Sequence, residues 1–273
     1  MKLIVTSSED PASMNIREQL LDLRDWRENG RFAEHEVLTA EDFLIVQVDR
    51  IHLSEDHIDE RVHSELGKDI STTIFASRHR SESKIPTLTV HPVGNFSKAE
   101  FGGVDGILSP ASPQLMTQAL RTLARKAEQL DFKVSFETTH HGPLTDGPAF
   151  YVEIGSHEEL WTRRDAASAI AETILEAECT DHPAVICVGG GHYAPRFTDV
   201  ALSRKVAIGH MAANYALDSL DERNILQMAE NSENAKMVYF HRKSMPRSSY
   251  RNLVERFSTL GIEEVSSNDF EEL

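Results

Sequence analysis

The stretch Phe43-Leu44-Ile45-Val46-Gln47-Val48 decides the fold class, because it is an apolar, β-branched run of strand length. A second run, Ala184-Val185-Ile186-Cys187-Val188, has the same character far along the chain. Helical patterns such as Pro113–Gln129 lie between such runs. Apolar strands separated by helices predict a three-layer α/β/α fold with a mostly parallel, mixed sheet that helices cover on both faces.

The same alternation continues along the whole chain. Further strands are predicted at Lys2–Thr6, Thr72–Ala76, Thr87–His91, Phe132–Thr138, Phe150–Ile154, Val206–Ile208 and Met237–Phe240. Further helices are predicted at Ser13–Leu23, Ser156–Ala177, Asp218–Ala229 and Pro246–Leu260. Ser156 followed by Glu159 fits a capping box, and Ser112 is placed to cap the helix that Pro113 begins. Without repeats or a Pro/Gly-rich linker, we expect a single domain over 1–273 with a polar surface excursion near 49–69.

Composition excludes several classes of protein. No apolar run approaches the roughly 20 residues that a membrane span needs, and the polar residues after Val5 come too early for a secretory signal. Cys179 and Cys187 have no metal-type or redox spacing. We therefore expect a cytoplasmic, monomeric protein without a membrane partner.

The charge balance is strongly acidic, with 28 Lys and Arg residues against 44 Asp and Glu residues and a net charge of −16. This argues against a protein that coats nucleic acid. One basic segment stands out, however, with Arg242, Lys243, Arg247 and Arg251 close together. It is either a solvated helix face or a surface that attracts a polyanion. The string Arg78-His79-Arg80 likewise has two interpretations, anion binding or local ion pairs on an exposed loop.

Histidines occur where four predicted strands end. They are His91, the pair His140 and His141, His192, and His210. Imidazole is the most common transition-metal ligand, and Glu137 or Glu153 could complete a site. We therefore expect a metal or catalytic site that includes at least two of these histidines. Adjacent residues on a strand face opposite ways, so His140 and His141 can share one metal only if the strand has already ended.

Other motifs give weaker evidence for a functional site. His52, His57 and His63 lie among acidic residues, and we interpret them as a solvated face. The string Gly189–Ala194 matches a dinucleotide-binding pattern only formally, since Pro195 follows at once. There is no P-loop and no G-x-S-x-G motif. We expect no nucleotide cofactor.

Taken together, five strings resemble the zinc-dependent D-aminoacyl-tRNA deacylases of archaea and plants. In chain order they are Ser77–Ser83, Leu88–Phe96, Glu137–Pro143, Gly189–Tyr193 and Gly209–Met211. The resemblance implies a fold of the phosphorylase and peptidyl-tRNA hydrolase type, a bound zinc ion, and proofreading of chirality. The implied reaction is hydrolysis of the ester between a D-amino acid and the 3′ end of tRNA.

The resemblance brings no ligand set with it, so the site residues are chosen on their positions at the strand ends. We expect His91, His140 and His192 to bind zinc, with His141 or Glu153 as additional ligands. Glu137 is the candidate general base, and His210 a candidate acid or a residue behind the ligands. The cationic residues expected to contact tRNA phosphates are Arg78, Arg80, Arg242, Lys243, Arg247 and Arg251.

The chemistry leaves alternatives open. Zinc lowers the pKa of bound water to about 7 and polarises a carbonyl, but a histidine that activates water directly would need no metal. A zinc peptidase or amidohydrolase would keep the histidines without needing the basic segment. A non-catalytic tRNA-binding protein would keep the basic segment without needing a metal. Selection of the D enantiomer would require a pocket that excludes the L side chain sterically.

Overall fold

The structure, a computed structural model, describes all of residues 1–273 and contains two β-sheets. The larger sheet has eight strands in the order β2-β3-β4-β1-β5-β8-β6-β7. Its strands are β1 Lys2–Ser7, β2 Arg27–Phe32, β3 His35–Ala40, β4 Phe43–Val48, β5 Thr72–Arg78, β6 Thr87–Pro92, β7 Lys133–Phe136 and β8 Ala149–Gly155. The smaller sheet has four parallel strands in the order β10-β9-β11-β12. They are β9 Ala184–Val188, β10 Ala207–Ala212, β11 Met237–Phe240 and β12 Glu263–Val265.

Eight α-helices flank these sheets. They are α1 Pro11–Leu23, α2 Ile58–Leu66, α3 Pro113–Lys126, α4 Glu158–Trp161, α5 Arg164–Glu176, α6 Pro195–Ser203, α7 Glu222–Glu230 and α8 Arg247–Thr259. Asp10 caps α1 by accepting hydrogen bonds from the backbone N–H groups of Ala12 and Ser13. None of the helices has the length and apolar character needed to cross a bilayer.

Alternating side chains cover both faces of the larger sheet. Ile4 packs into the core that α1, α3 and α5 complete, whereas Leu3 and Val5 pack on the opposite face with residues of α2. The strands β4, β1, β5 and β8 run parallel, while β2-β3-β4 and β8-β6 pair antiparallel. The prediction of an α/β fold with a mostly parallel, mixed sheet is confirmed.

The smaller sheet also has helices on both of its faces. Val185 and Cys187 join the core shared with α3 and α6, whereas Ile186 and Val188 face α7 and α8. Helix α3 packs on β6 of the larger sheet and on β10 of the smaller one. Helix α6 likewise contacts β7 of the larger sheet and β10 of the smaller one. The two sheets thus share two helices and part of one core, and the assignment of a single domain stays a prediction.

Three local predictions are wrong. The helix expected over Ser156–Ala177 is two helices, α4 and α5, interrupted at Thr162 and Arg163. The capping box is absent, because the Ser156 side chain is buried without a hydrogen-bond partner and α4 begins two residues later. The Ser112 side chain precedes α3 but makes no capping hydrogen bond.

The segment 49–69 contains a 3₁₀ helix, His52–Ser54, followed by α2. The interpretation of its histidines as a solvated face is wrong for His52, which is fully buried against the rings of Phe75 and Tyr151. His57 and His63 do have half-exposed side chains. His52 is buried because the 3₁₀ helix turns back onto the end of β1, where its Nε2 donates to the carbonyl of Val5 at 3.2 Å.

Candidate active site

The segment Glu137–Gly142 joins the two sheets. Strand β7 ends at Phe136, and Glu137 then forms an isolated bridge with Tyr193, which follows the smaller sheet's strand β9. The backbone N–H of Thr139 donates to the carbonyl of Met211 in β10 at 2.8 Å. His140 bridges back to Val93, just beyond β6 of the larger sheet. The side chains of this segment therefore lie at the seam between the sheets.

Three histidines meet on the larger sheet's side of the seam. The ring of His91 lies 4.2 Å from that of His140 and 4.9 Å from that of His141, centroid to centroid. One ring nitrogen of each of the three lies within 4.8 Å of those of the other two. The adjacent His140 and His141 can both face His91 because the strand has ended and His141 adopts a left-handed φ of 42°. The end of the strand before these two residues is what a metal site shared by both of them requires.

Glu137 and Glu153 extend the cluster. Oε2 of Glu137 lies 3.0 Å from Nε2 of His192, and its Oε1 lies 3.3 Å from Nδ1 of His79. Oε2 of Glu153 lies 3.5 Å from Nε2 of His91. These contacts define two further groups of potential ligands, which share Glu137 with each other, and one of them also shares His91 with the first group. The groups are His79, Glu137 and His192, and His91, Glu137 and Glu153.

The histidine rings are oriented by hydrogen bonds on their Nδ1 side. Nδ1 of His91 lies 3.1 Å from the carbonyl of Pro92, and Nδ1 of His140 lies 2.8 Å from that of Thr138. Nδ1 of His141 lies 2.7 Å from the carbonyl of Gly142. Since a carbonyl oxygen only accepts, each Nδ1 carries the proton. The Nε2 lone pairs are then left for a metal ion.

The electrostatics of the cluster favour the metal-binding form of Glu137, His140 and His141, but not that of His91. Burial raises the pKa of the Glu137 carboxyl, but the hydrogen bond from His192 and the charges of His79 and His91 oppose this and lower it to about 2. Burial, reinforced by the neighbouring histidines, holds the pKa of His140 well below its usual value and that of His141 at about 3. Burial also lowers the pKa of His91, but the hydrogen bond and charge of Glu153 outweigh it and raise that pKa.

A metal ion fits this constellation. Both carboxylate oxygens of Glu137 and Nε2 of His91 are buried without a hydrogen-bond partner of good geometry. Buried polar atoms are rarely left unpaired, because each loses its hydration without compensation. Converging imidazole nitrogens and carboxylate oxygens form the donor set that divalent transition metals prefer. His/Glu clusters able to bind a metal are therefore present at the seam.

His210 lies outside these groups. It is fully buried within β10, rather than at the end of that strand. Its Nε2 donates to the carbonyl of Ser109 at 2.9 Å, and its Nδ1 lies 3.0 Å from Oγ1 of Thr139. Burial lowers its pKa to about 4. A neutral ring with both nitrogens engaged fixes Thr139, which precedes His140.

Sequence reasoning missed His79. It was considered only as part of an anion-binding string, yet its ring lies beside Glu137, with Nε2 at 2.9 Å from the Tyr193 hydroxyl. The indole N–H of Trp161 donates to the backbone carbonyl of His79 at 3.0 Å and fixes its position. A usable signal was present, because His79 directly follows β5 as the other histidines follow or end strands.

The predicted cationic residues fall into two places. The guanidinium groups of Arg78 and Arg80 each lie 5.1 Å from the ring of Trp161. Arg242, Lys243, Arg247 and Arg251 are all exposed, between β11 and the first turns of α8. This basic segment adjoins the His192 loop, because the N–H of Gly190 donates to Oγ of Ser244 at 2.8 Å.

A cavity of about 500 Å³ opens beside the cluster. His140, His141 and His192 line it, together with residues of the loop from Gly94 to Phe101 and with Tyr215. A substrate group in this cavity would reach the histidine side of the cluster directly.

Comparison with known proteins gives a consistent result. The family model described as D-aminoacyl-tRNA deacylase matches residues 66–265. A D-aminoacyl-tRNA deacylase of Methanosarcina acetivorans is 36% identical, with 98% of this chain and 93% of that protein covered. One from Thermoplasma volcanium is 34% identical, with coverages of 96% and 98%. One from Methanococcoides burtonii is 38% identical over 98% of this chain, which spans 57% of that longer protein.

One solved structure has the same fold. A crystal structure described as a conserved protein of unknown function superposes with a TM-score of 0.92 at 32% identity. The match covers 100% of this chain and 99% of that one.

Proposed function

The chain belongs to the D-aminoacyl-tRNA deacylase family, and we propose that it hydrolyses the ester of D-aminoacyl-tRNA at the seam cluster with the help of a bound zinc ion. The products are a free D-amino acid and tRNA, so the enzyme is a carboxylic ester hydrolase that proofreads chirality. One observation supports placing the site here: the oxygens of Glu137 and the Nε2 of His91, which have no hydrogen bond of good geometry, converge with further histidines beside a cavity.

The proposed ligands are His91, His140 and His192, with His141 and Glu153 as additional ones. When bound there, zinc supplies a Lewis acid for the ester carbonyl and a water of lowered pKa. The Nδ1 hydrogen bonds of His91, His140 and His141 orient the rings before any ion arrives. Histidines with lowered pKa values bind an ion at neutral pH without first losing a proton.

The roles that we propose for Glu137 and His210 differ from those expected from the sequence. A carboxylate whose pKa is about 2 is a weak general base near neutral pH. We assign Glu137 to holding positive charge at the cluster, as a ligand or as a partner of His79 and His192. We assign His210 to positioning Thr139. Proton transfer to the departing ribose oxygen then falls to His79 and the Tyr193 hydroxyl, which are hydrogen-bonded to each other.

Substrate binding follows from the surroundings of the cluster. Arg242, Lys243, Arg247 and Arg251 would contact tRNA phosphates, since this exposed segment adjoins the His192 loop. Arg78 and Arg80 would do the same beside His79. Such contacts carry little sequence information, so many tRNAs would be accepted. We place the reaction in the cytoplasm, where charged tRNA is used.

The test is release of D-tyrosine from D-tyrosyl-tRNA, run beside L-tyrosyl-tRNA. We expect D-selective release that a chelator abolishes and zinc restores. His140→Ala should lower kcat at least about a hundredfold and reduce bound zinc, since it removes a ligand. His63→Ala, at a half-exposed surface histidine, is the matched control and should do neither.

Two outcomes would contradict parts of this proposal. Release that ignores chelator would keep the deacylase and remove the zinc site. No release from either substrate would remove the proposed activity itself.

A further inference from the structure

Two large aromatic side chains of the cavity are exposed. Residue Phe101 is 64% exposed and Tyr215 is 62% exposed, whereas most other aromatic residues of the chain are buried. Both residues line the cavity that His140, His141 and His192 also line. Single exposed apolar residues are common on protein surfaces, but two flat rings in one cavity at a reaction centre form a binding surface.

Hydrogen bonds and close packing hold the backbone around Phe101, so its side chain is exposed on a well-packed loop. The Phe101 carbonyl accepts a hydrogen bond from the N–H of Gly142 at 3.0 Å. The Asn95 side-chain amide donates to the carbonyl of Gly102 at 2.9 Å. A Cβ at Gly102 would collide with the backbone of Leu53. The loop is thus packed against the histidine segment while the ring of Phe101 remains in solvent.

Tyr215 is held in a similar way from the other sheet. It lies in the 3₁₀ helix Asn214–Ser219, where the N–H of Asn214 donates to the carbonyl of Gly190 at 2.8 Å. Its hydroxyl lies 3.3 Å from Oγ1 of Thr138, the residue after Glu137. The hydroxyl end of the ring is therefore anchored at the cluster, and the rest of the ring is presented to the cavity.

We propose that Phe101 and Tyr215 bind the base of the 3′-terminal adenosine of the charged tRNA. This inference rests on the proposed function, because the scissile ester is carried by the ribose of that nucleotide. With the ester at the histidine cluster, the attached base must lie within the same cavity or at its rim. Aromatic rings stack on any base without reading its edges. They suit this nucleotide, which is the same in every charged tRNA.

The charges of the cavity favour a base over a phosphate as the bound group. Its lining contains Lys98 and Glu100, one cation and one anion, so it offers no net positive charge. The chain as a whole has a net charge of −16, which weakens attraction for the RNA backbone away from the basic segment. Stacking is independent of that charge and would hold the acceptor end where phosphate contacts cannot.

Binding of uncharged RNA tests the inference without relying on activity. We would measure Kd for an acceptor-stem hairpin ending in CCA and for the same hairpin ending in CC. The wild type should bind the CCA hairpin more tightly. Phe101→Ala and Tyr215→Ala should each weaken that binding about tenfold and leave the CC hairpin unaffected. Phe101→Trp and Tyr215→Phe keep the stacking surface and should keep the preference.

Kinetics separate the base from the amino acid as occupant. The alanine variants should raise KM equally for tRNA charged with D-tyrosine and with D-aspartate, because the adenosine is common to both. Leu226→Ala, at an exposed apolar residue of α7, is the control and should change neither KM nor Kd.

An unchanged preference for CCA in both alanine variants would overturn the inference. So would an increase in KM confined to one D-amino acid, which would make the cavity a side-chain pocket. A wild type that prefers CCA but releases no D-amino acid would refute the proposed function while the nucleoside site stands.

Discussion

At the scale of single residues, three histidines of the cluster are oriented by the same kind of local hydrogen bond. His91, His140 and His141 each donate Nδ1–H to a backbone carbonyl of their own or the adjacent segment. For His91 and His141 the acceptor is the carbonyl of the very next residue. Ring orientation is thus set by the local backbone. The cost of ordering these rings is met in folding and not on binding an ion.

His52 gives a prediction about stability and pH. Burial lowers its pKa from 6.5 to about 4, so the folded chain resists protonation that the unfolded chain accepts below pH 6.5. Stability should therefore fall as the pH decreases, by about 2 kcal/mol between about pH 7 and about pH 5 from this residue alone. His52→Gln should show a correspondingly shallower dependence in urea unfolding, with chelator present throughout.

His63→Gln is the control for that measurement, because its side chain is half exposed. It should follow the wild type at every pH. Equal losses in the wild type and in His52→Gln would mean that His52 accepts a proton in the folded state.

Residue positions were more predictable than residue roles. Except for His210, the histidines expected at strand ends do lie together, because that pattern depends only on local sequence. Their roles as ligands stay a prediction. His79 could have been included from the sequence, because it directly follows β5. The lack of well-formed hydrogen bonds to the Glu137 oxygens depends on contacts between segments that lie far apart in the chain. The same is true of the engagement of both nitrogens of His210. Such contacts leave no periodic signal.

At the scale of elements, the packing of Gly142 against the neighbouring loop supports the histidine segment. A Cβ at Gly142 would collide with the backbone of Gly102 and Gly103. Gly142→Ala should therefore displace His140 and His141 or the loop of Phe101, with a loss of about 1–3 kcal/mol in unfolding free energy. Zinc content and kcat should decrease together.

Gly191→Ala makes the same change directly before His192 and is the matched control. A Cβ there has its nearest neighbour at 3.9 Å, the carbonyl oxygen of Tyr193, and needs no left-handed backbone. This variant should retain both zinc and activity. If the two variants behaved alike, the close packing at Gly142 would not be what supports the cluster.

The sequence predicted the apolar strands well and the polar ones poorly. Strands β4, β9 and β11 begin and end as predicted, because buried strands are read from continuous apolar runs. Strand β2 was missed since its sequence, Arg-Glu-Asn-Gly-Arg-Phe, is almost entirely exposed and is held by pairing with β3. Helices α2 and α6 were also missed. They have only nine residues each, and tertiary packing stabilises them more than local propensity does.

For the whole molecule, the basic segment within an acidic protein predicts how tRNA binding depends on salt. Arg247→Ala should raise KM for charged tRNA and reduce the slope of log K against log salt by about 1. The kcat/KM for a small D-aminoacyl ester should stay the same, because such a substrate reaches only the cluster. Arg125→Ala, at an exposed residue of α3, is the control. An equal effect on the small ester would place Arg247 at the reaction centre and not on the tRNA.

The seam between the sheets has a consequence for the order in which the protein is synthesised. All eight strands of the larger sheet precede residue 156, and all four of the smaller sheet follow residue 183. A chain that leaves the ribosome from its N-terminus can therefore complete the larger sheet, with His91, His140 and Glu153, while His192 is still within the ribosome. An ion captured at that stage would be open to exchange with the cell. The emergence of residues 184–212 would then close the seam around any ion bound there.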